Sequence, residues 1–227
     1  MAQTGKTFVV EHLDPELEAW SSLEYRTIAA ESHATGAKFL LSSVPTSLKL
    51  PENLQGAQGL NVETRGIEEI YADKKDRVCL LDPAAAKDLS PEDGNTFDIF
   101  LFGGILGDDP PRDRTSELRK KGYQGRRLGP VQMTTDTAVR VTRIVVQDKI
   151  PVDKISFIDH PELKINKNES TEMPFRYVKG EDGRPIMPEA RKQHLLFQLG
   201  PRFTDIIRQG MVDLIIKDSE KSLDDLL

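Results

Sequence analysis

The sequence predicts an α/β protein built on a parallel sheet, and three observations predict it. A β–α–β unit is complete between Phe8 and Pro45. An apolar run, Phe97-Asp98-Ile99-Phe100-Leu101-Phe102, breaks into Gly103-Gly104-Ile105-Leu106-Gly107. A second segment, Arg127-Leu128-Gly129-Pro130-Val131-Gln132-Met133, turns into Thr134-Thr135-Asp136-Thr137-Ala138 at the head of a helical pattern. Two strand-to-glycine turns, one of them at a helix N-terminus, are how an α/β sheet makes a nucleotide-shaped pocket.

The elements follow in order. Phe8-Val9-Val10-Glu11-His12 is a strand-type run, and Asp14-Pro15 supplies an N-cap and a first-turn proline for a helix. Leu17, Trp20, Leu23 or Glu24, and Ile28 recur at helical spacing, and His33 and Gly36 mark the stop. Lys38–Val44 is a second strand ending at Pro45, which makes a parallel pair the natural reading. Residues 46–75 read as loops with one short helix near Glu68. Arg77–Leu81 is a third buried strand closed by Asp82-Pro83, and Ser90–Gly94 is a surface loop. Beyond the second glycine turn, Ala138, Val141, Ile144 and Val145 form a helix face. Ile155–Asp159 is a further strand, and Phe175–Val178 with Arg184–Met187 flank a hairpin turn. Two helical patterns, Glu189–Leu199 and Arg202–Lys217, precede an acidic end.

The bulk properties exclude several classes. With 227 residues, a net charge of -6 and a pI near 5.4, the chain has the length of one domain and no global positive field for nucleic acid. Its single cysteine, Cys79, excludes an internal disulfide framework or a cysteine zinc site and fits a reducing, cytoplasmic setting. No apolar run has signal-peptide or membrane-span length, so no membrane partner is expected. His12, His33, His160 and His194 lack metal-ligand spacing, and no metal is expected.

The glycine run is neither a dinucleotide fingerprint nor a phosphate loop with its lysine. Its placement at a strand end is what favours a ligand, because glycines admit close approach to the backbone. Thr134-Thr135-Asp136-Thr137 reads as an N-cap with an acidic first turn, whose free N–H groups suit a carboxylate or a ribose hydroxyl. Asp108-Asp109 forms a solvated turn or, beside such a pocket, a cation site; two unit charges about 4 Å apart interact by roughly 4 kcal/mol at a dielectric of 20, enough to hold a guanidinium. The connector Arg112–Arg127 carries seven cations: Arg112, Arg114, Arg119, Lys120, Lys121, Arg126 and Arg127. Diluted by Asp113, Glu117 and the paired aspartates, it reads as a solvated, mobile loop in preference to an RNA-phosphate patch.

Leu101–Pro111 together with Arg127–Ala138 closely resemble the SPOUT-class methyltransferases, and within them the fungal protein arginine methyltransferases and their archaeal relatives. Asn166–Tyr177 and the ending Ser222–Leu227 support the same subfamily. The resemblance implies a SPOUT fold in one domain: a Rossmann-like half over 1–95, a knotted cofactor-binding half over 96–188, and C-terminal helices with an acidic tail over 189–227. It also implies a deep trefoil knot with the connector as its loop, which rests wholly on the resemblance since chains almost never thread loops. By the same resemblance S-adenosyl-L-methionine is the cofactor, held around Leu81, Gly103, Gly104, Gly107, Leu128, Gly129, Met133, Thr134, Thr135 and Thr137. The family runs from Pro185–Glu189 almost directly into a helix like Gly210–Leu214, whereas here Ala190–Gln209 intervene.

The implied activity is methyl transfer to an arginine of a basic protein, a small-subunit ribosomal protein, by a monomer. Arginine keeps its proton and must approach a sulfonium, so carboxylates are needed to offset the repulsion, aim the nitrogen and take a proton. The candidates are Asp108, Asp109, Asp136 and Glu172. The alternatives are a SPOUT RNA methyltransferase and a non-enzymatic assembly factor of the same fold; the low pI and the paired acids weigh against RNA.

Overall fold

The computed structural model describes residues 5–12, 14–17, 19–103, 114–164 and 170–188. Its centre is a six-stranded sheet of β1 (Thr7–Glu11), β2 (Lys38–Ser42), β3 (Leu60–Val62), β4 (Val78–Leu81), β5 (Ile99–Gly103) and β6 (Gln124–Arg126). The spatial order is β3-β2-β1-β5-β4-β6 and every pairing is parallel. The helices are α1 (Ala19–Ala34), α2 (Ile67–Ile70), α3 (Asp93–Thr96), α4 (Arg114–Lys120) and α5 (Thr135–Val146). Two antiparallel ribbons lie outside the sheet: β7 (Phe157–Asp159) with β10 (Arg176–Val178), and β8 (Glu162–Lys164) with β9 (Ser170–Glu172).

The strands read as continuous apolar runs because both faces of the sheet are covered. Phe8, Val10, Phe39, Leu41, Cys79, Leu81, Phe100 and Phe102 point to one side, where Tyr25 and Ile28 of α1 and Val139, Val141 and Val145 of α5 meet them. Val9, Leu40, Val78, Leu80, Ile99 and Leu101 point to the other, against Ile67 of α2, Leu118 of α4 and Tyr123. The alternation along each strand thus sorts residues between two apolar layers.

Four expectations need correction. Pro15 and Glu16 form a bend and α1 starts at Ala19; the inward face of Ser22, Tyr25, Ile28, Ala29 and Ser32, more than local propensity, sets where the helix runs. Ser90–Gly94 is a surface loop only as far as Glu92. Asp93 is buried, accepts the Ser90 N–H at 2.9 Å and the Arg126 Nε at 3.0 Å, and starts α3. Gly94 is needed there, since a Cβ would stand 2.6 Å from the Val146 carbonyl oxygen. From residue 114 on, the connector is a helix and an edge strand, not a mobile loop, because Leu118 and Tyr123 are buried under the sheet; Arg112 lies outside the described residues. Strand β3, within 46–75, and the β8–β9 ribbon went unpredicted. The hairpin after β10 is present as a bridge between Lys179 and Pro185, with Gly183 at φ +76° in its turn. Glu189–Leu199, Arg202–Lys217, the Ala190–Gln209 segment and the acidic end lie outside the described residues.

Candidate active site at the carboxyl edge of the sheet

All six parallel strands end at one edge. The order reverses between β1 and β5: from β1 the sheet extends to β2 and β3, from β5 to β4 and β6. Such a switch point leaves a crevice beyond the strand ends, where open α/β sheets bind ligands. The register places Glu11 opposite Gly103 there, and Leu81 level with Phe102 and Arg126 on the neighbouring strands.

The edge is lined with carboxyl groups, each held differently. Glu11 is buried and meets three donors: the Ser42 hydroxyl at 2.6 Å, the Ser43 hydroxyl at 2.8 Å and the Ile67 N–H at 3.1 Å. Ser43 takes φ +56° to make this contact, a left-handed conformation uncommon for serine. Asp82, just past β4, grips Arg119 of α4 through two bonds of 2.5 and 2.7 Å and accepts the Ala84 N–H at 2.9 Å. Burial alone would raise its pKa, but the Arg119 bonds outweigh burial and hold it below the usual carboxylate range. Tyr123 lies under this region; burial, then the charges of Glu68 and Glu11, push its phenol up to about 12.

The second glycine turn forms the wall of a cleft. Arg127 bonds backbone to backbone with Lys87 and Leu89, and Gly129 then takes φ +99°, which an L side chain adopts only under strain. A cavity of about 530 Å³ opens beside Leu128 and Gly129, with Leu89, Val152, Ile155 and Phe157 as apolar lining and Ser90 and Arg176 as polar lining. A second cavity of about 460 Å³, between α1 and residues 52–58, holds none of the predicted residues. The chain leaves the turn through Met133, bridged to Arg176, and enters α5 with Thr134 at the N-cap.

Several predicted site residues come together. Leu128 and Met133 pack against the cluster that contains Leu81 and Phe102, and Gly103 ends the adjoining strand. Thr134 and Thr137 are buried with their hydroxyl oxygens 2.8 Å apart, so their side chains brace the first turn of α5, while Thr135 is half-buried. The first N–H of α5 does meet a carboxyl group, but an internal one: Thr135 donates to Glu24 of α1 at 3.1 Å. Asp136 is 1% exposed and engaged by the Thr134 hydroxyl at 2.7 Å and Arg140 Nη1 at 3.4 Å. Glu172 is exposed on β9, opposite Glu162. Gly104, Gly107, Asp108 and Asp109 lie outside the described residues. Among the described residues no group of three His, Cys, Asp or Glu side chains is placed to hold a metal ion, and no helix is long and apolar enough to cross a membrane.

Sequence reasoning missed Glu11, Glu24 and Arg140. Glu24 left a signal, since it falls in phase with Ile28 on the apolar face of α1. Glu11 left another as the charged residue that ends a buried parallel strand. Four of the connector's seven cations also proved occupied: Arg119 pairs with Asp82, Lys121 with Glu68, Arg126 with Asp93 and Arg127 with Asp88.

A parallel sheet with a glycine at its switch point, and a glycine turn leading into a helix N-terminus, defines an α/β protein of the class that takes a nucleotide-like ligand at its strand ends. Comparison with known proteins narrows this class. Residues 7–200 match the family described as protein arginine N-methyltransferase SFM1-like, and the chain belongs to that family. It is 46% identical over 233 residues to protein arginine N-methyltransferase SFM1 of Saccharomyces cerevisiae, covering 97% of this chain and 99% of the yeast protein. The crystal structure of the yeast enzyme complexed with SAH superposes with a TM-score of 0.72 at 46% identity, over 82% of this chain and 92% of that one. The complex with SAM gives 0.73 at 42% identity, over 91% and 92%.

Proposed function

We propose that this protein transfers the methyl group of S-adenosylmethionine to an arginine of a basic protein, and that the acceptor is a small-subunit ribosomal protein. The observation that carries this reading is the 46% identity to the yeast arginine methyltransferase along 97% of the chain. A monomer in the cytoplasm, folded as one SPOUT domain with a C-terminal trefoil knot, belongs to the same proposal and rests on the motif resemblance.

The residues at the carboxyl edge fit the cofactor. The cleft of about 530 Å³ has the size of a small-molecule pocket, its apolar walls suit a purine, and an added Cβ at Gly129 would meet nothing within 4 Å. Leu81, Gly103, Leu128, Gly129 and Met133 hold the cofactor in this reading. Thr134, Thr135 and Thr137 act through the backbone of the first turn of α5. The cofactor supplies an electrophilic methyl group on a sulfonium.

The chain must then bring up a guanidinium that keeps its charge near any physiological pH. Asp108 and Asp109, which follow β5 in the sequence, are assigned the acceptor side, with exposed Glu172 as a further anionic contact. Asp136 is better placed as a structural carboxyl, because burial and Arg140 leave it no face for a substrate. The net charge of -6 steers a basic protein and repels RNA, and four of the connector's cations are already in ion pairs.

Labelled cofactor incubated with the enzyme and a cell extract tests the reading. Label that protease removes and nuclease leaves supports arginine transfer. Nuclease-sensitive label would establish the RNA enzyme, and absence of cofactor binding by titration calorimetry would establish a non-enzymatic factor. Replacing Asp108 and Asp109 together by Ala abolishes transfer and leaves cofactor affinity nearly intact; persistent transfer would remove their assigned role.

A further inference from the structure

Helix α5 begins against a carboxyl group that belongs to another helix. Glu24 of α1 is fully buried and its Oε1 accepts the Thr135 N–H at 3.1 Å. It lies against Asp136, itself buried. Asp136 Oδ1 takes the Thr134 hydroxyl at 2.7 Å and Oδ2 takes Arg140 Nη1 at 3.4 Å. The remaining guanidinium nitrogens of Arg140 reach back to Glu31 of α1 at 2.6 and 3.1 Å. One cation therefore serves Asp136 and Glu31, and among the described residues none is left for Glu24. Among the described residues, no donor meets Glu24 Oε2 or the buried Tyr177 hydroxyl of β10.

Two carboxylates in contact, out of reach of water, do not both ionise. A single proton resolves the arrangement. Placed on Glu24, it turns the unmet oxygen into a donor and gives Asp136 another hydrogen bond, while Oε1 continues to accept from Thr135. We propose that Glu24 is a positioning residue: it keeps a proton, donates it to Asp136, and so clamps the first turn of α5, with the segment Met133–Thr137, to α1. This rests on the assignment of that segment to the cofactor.

The electrostatics agree in direction. Burial first, and then the charge of Asp136, push the Glu24 carboxyl well above its ordinary value of 4.5. The charged and titratable groups that face it are Asp136 on α5 and Tyr177 on β10, with Arg140 and Glu31 linked behind Asp136. Burial and the two carboxyls raise the Tyr177 phenol far above its ordinary range, so it stays neutral. Below 4.5 both the folded and the unfolded chain hold the Glu24 proton. As pH rises from there the unfolded chain releases it first, and the clamp's contribution to stability is lost by the time pH passes the folded value. A rise in pH through the folded value therefore opens the joint.

The test compares wild type, Glu24→Gln and Glu24→Leu as full chains. An amide at this position accepts from Thr135 and donates to Asp136 with no proton to lose. The infrared spectrum of wild type at neutral pH should show a protonated-carboxyl C=O stretch that Glu24→Gln removes. S-adenosylmethionine affinity of wild type, measured by calorimetry, should fall about tenfold from neutral to alkaline pH, the order of an ordinary coupling between linked sites. Glu24→Gln should keep the neutral-pH affinity and lose the fall, and Glu24→Leu should bind weakly at every pH. The proposal is overturned if the infrared band survives Glu24→Gln, if that variant binds as weakly as Glu24→Leu, or if its pH profile matches wild type. If wild type binds no cofactor, the cofactor reading is what fails. The infrared band and the pH dependence of Tm, flattened in Glu24→Gln, then decide the clamp alone.

Discussion

Glu11 and Glu24 are both buried, and each accepts the first N–H of a helix at 3.1 Å, yet the two carboxyls are in opposite situations. Two serine hydroxyls face Glu11 as well, so every neighbour donates. Glu24 meets the backbone N–H groups of Thr135 and Asp136 and then a second acid, the Asp136 side chain. The same side chain in the same capping role is an acceptor-only anchor at the switch point and a proton holder between α1 and α5. Shared capping geometry does not make two buried acids alike; the next neighbour distinguishes them.

The largest effect is expected where the comparison is broken from the cationic side. Arg140→Met leaves Asp136 and Glu31 without their shared guanidinium beside a third carboxyl, and should cost about 3–5 kcal/mol in denaturant unfolding, the usual penalty for half of a buried ion pair. The comparison is sharpened by the same substitution at both glutamates. Glu11→Gln turns one acceptor into an NH₂ that faces donors and should cost about 1–3 kcal/mol, whereas Glu24→Gln at neutral pH should cost less than about 1 kcal/mol. Equal losses would mean that the two sites do not differ as described.

Asp82→Asn is the smallest. Its partner Arg119 is 41% exposed, so solvent screening should hold the loss below about 1 kcal/mol. The sign of its pH dependence is the useful part. Asp82 is held below the usual range, so its stabilisation is present above the unfolded pKa and disappears as pH falls through the folded one. The gap between wild type and Asp82→Asn should close in acid, while the gap between wild type and Glu24→Gln should change toward alkali. Thermal melts across pH read both.

The sequence was legible where a residue's surroundings are all of one kind. Phe8–Val10, Phe39–Leu41 and Phe97–Phe102 announce a doubly covered parallel sheet because both faces are apolar. Thr134 announces a helix start by its residue type, although its hydroxyl bonds the Asp136 and Thr137 side chains and caps no backbone N–H. Strand β6, Gln124-Gly125-Arg126, has no apolar pattern to read; it pairs with β4 through its backbone alone. Asp93 looked like loop chemistry because its partner, Arg126, is distant in sequence. Glu24 was visible as a position but not as a role, since only the fold puts Asp136 beside it.

The sheet order carries a consequence for synthesis. Of these six strands β1 leaves the ribosome before the others, yet it is interior, and β5 inserts between it and β4. Until residue 103 has emerged, Phe8–Val10 and Val78–Leu81 each present an apolar edge with unpaired backbone groups, an invitation to pair with the wrong chain. Strand β5 is the wedge that closes both edges at once. Nascent chains that stop short of it carry the aggregation risk of this fold at two edges, and past Gly103 only the far edge of β4 still waits, for β6.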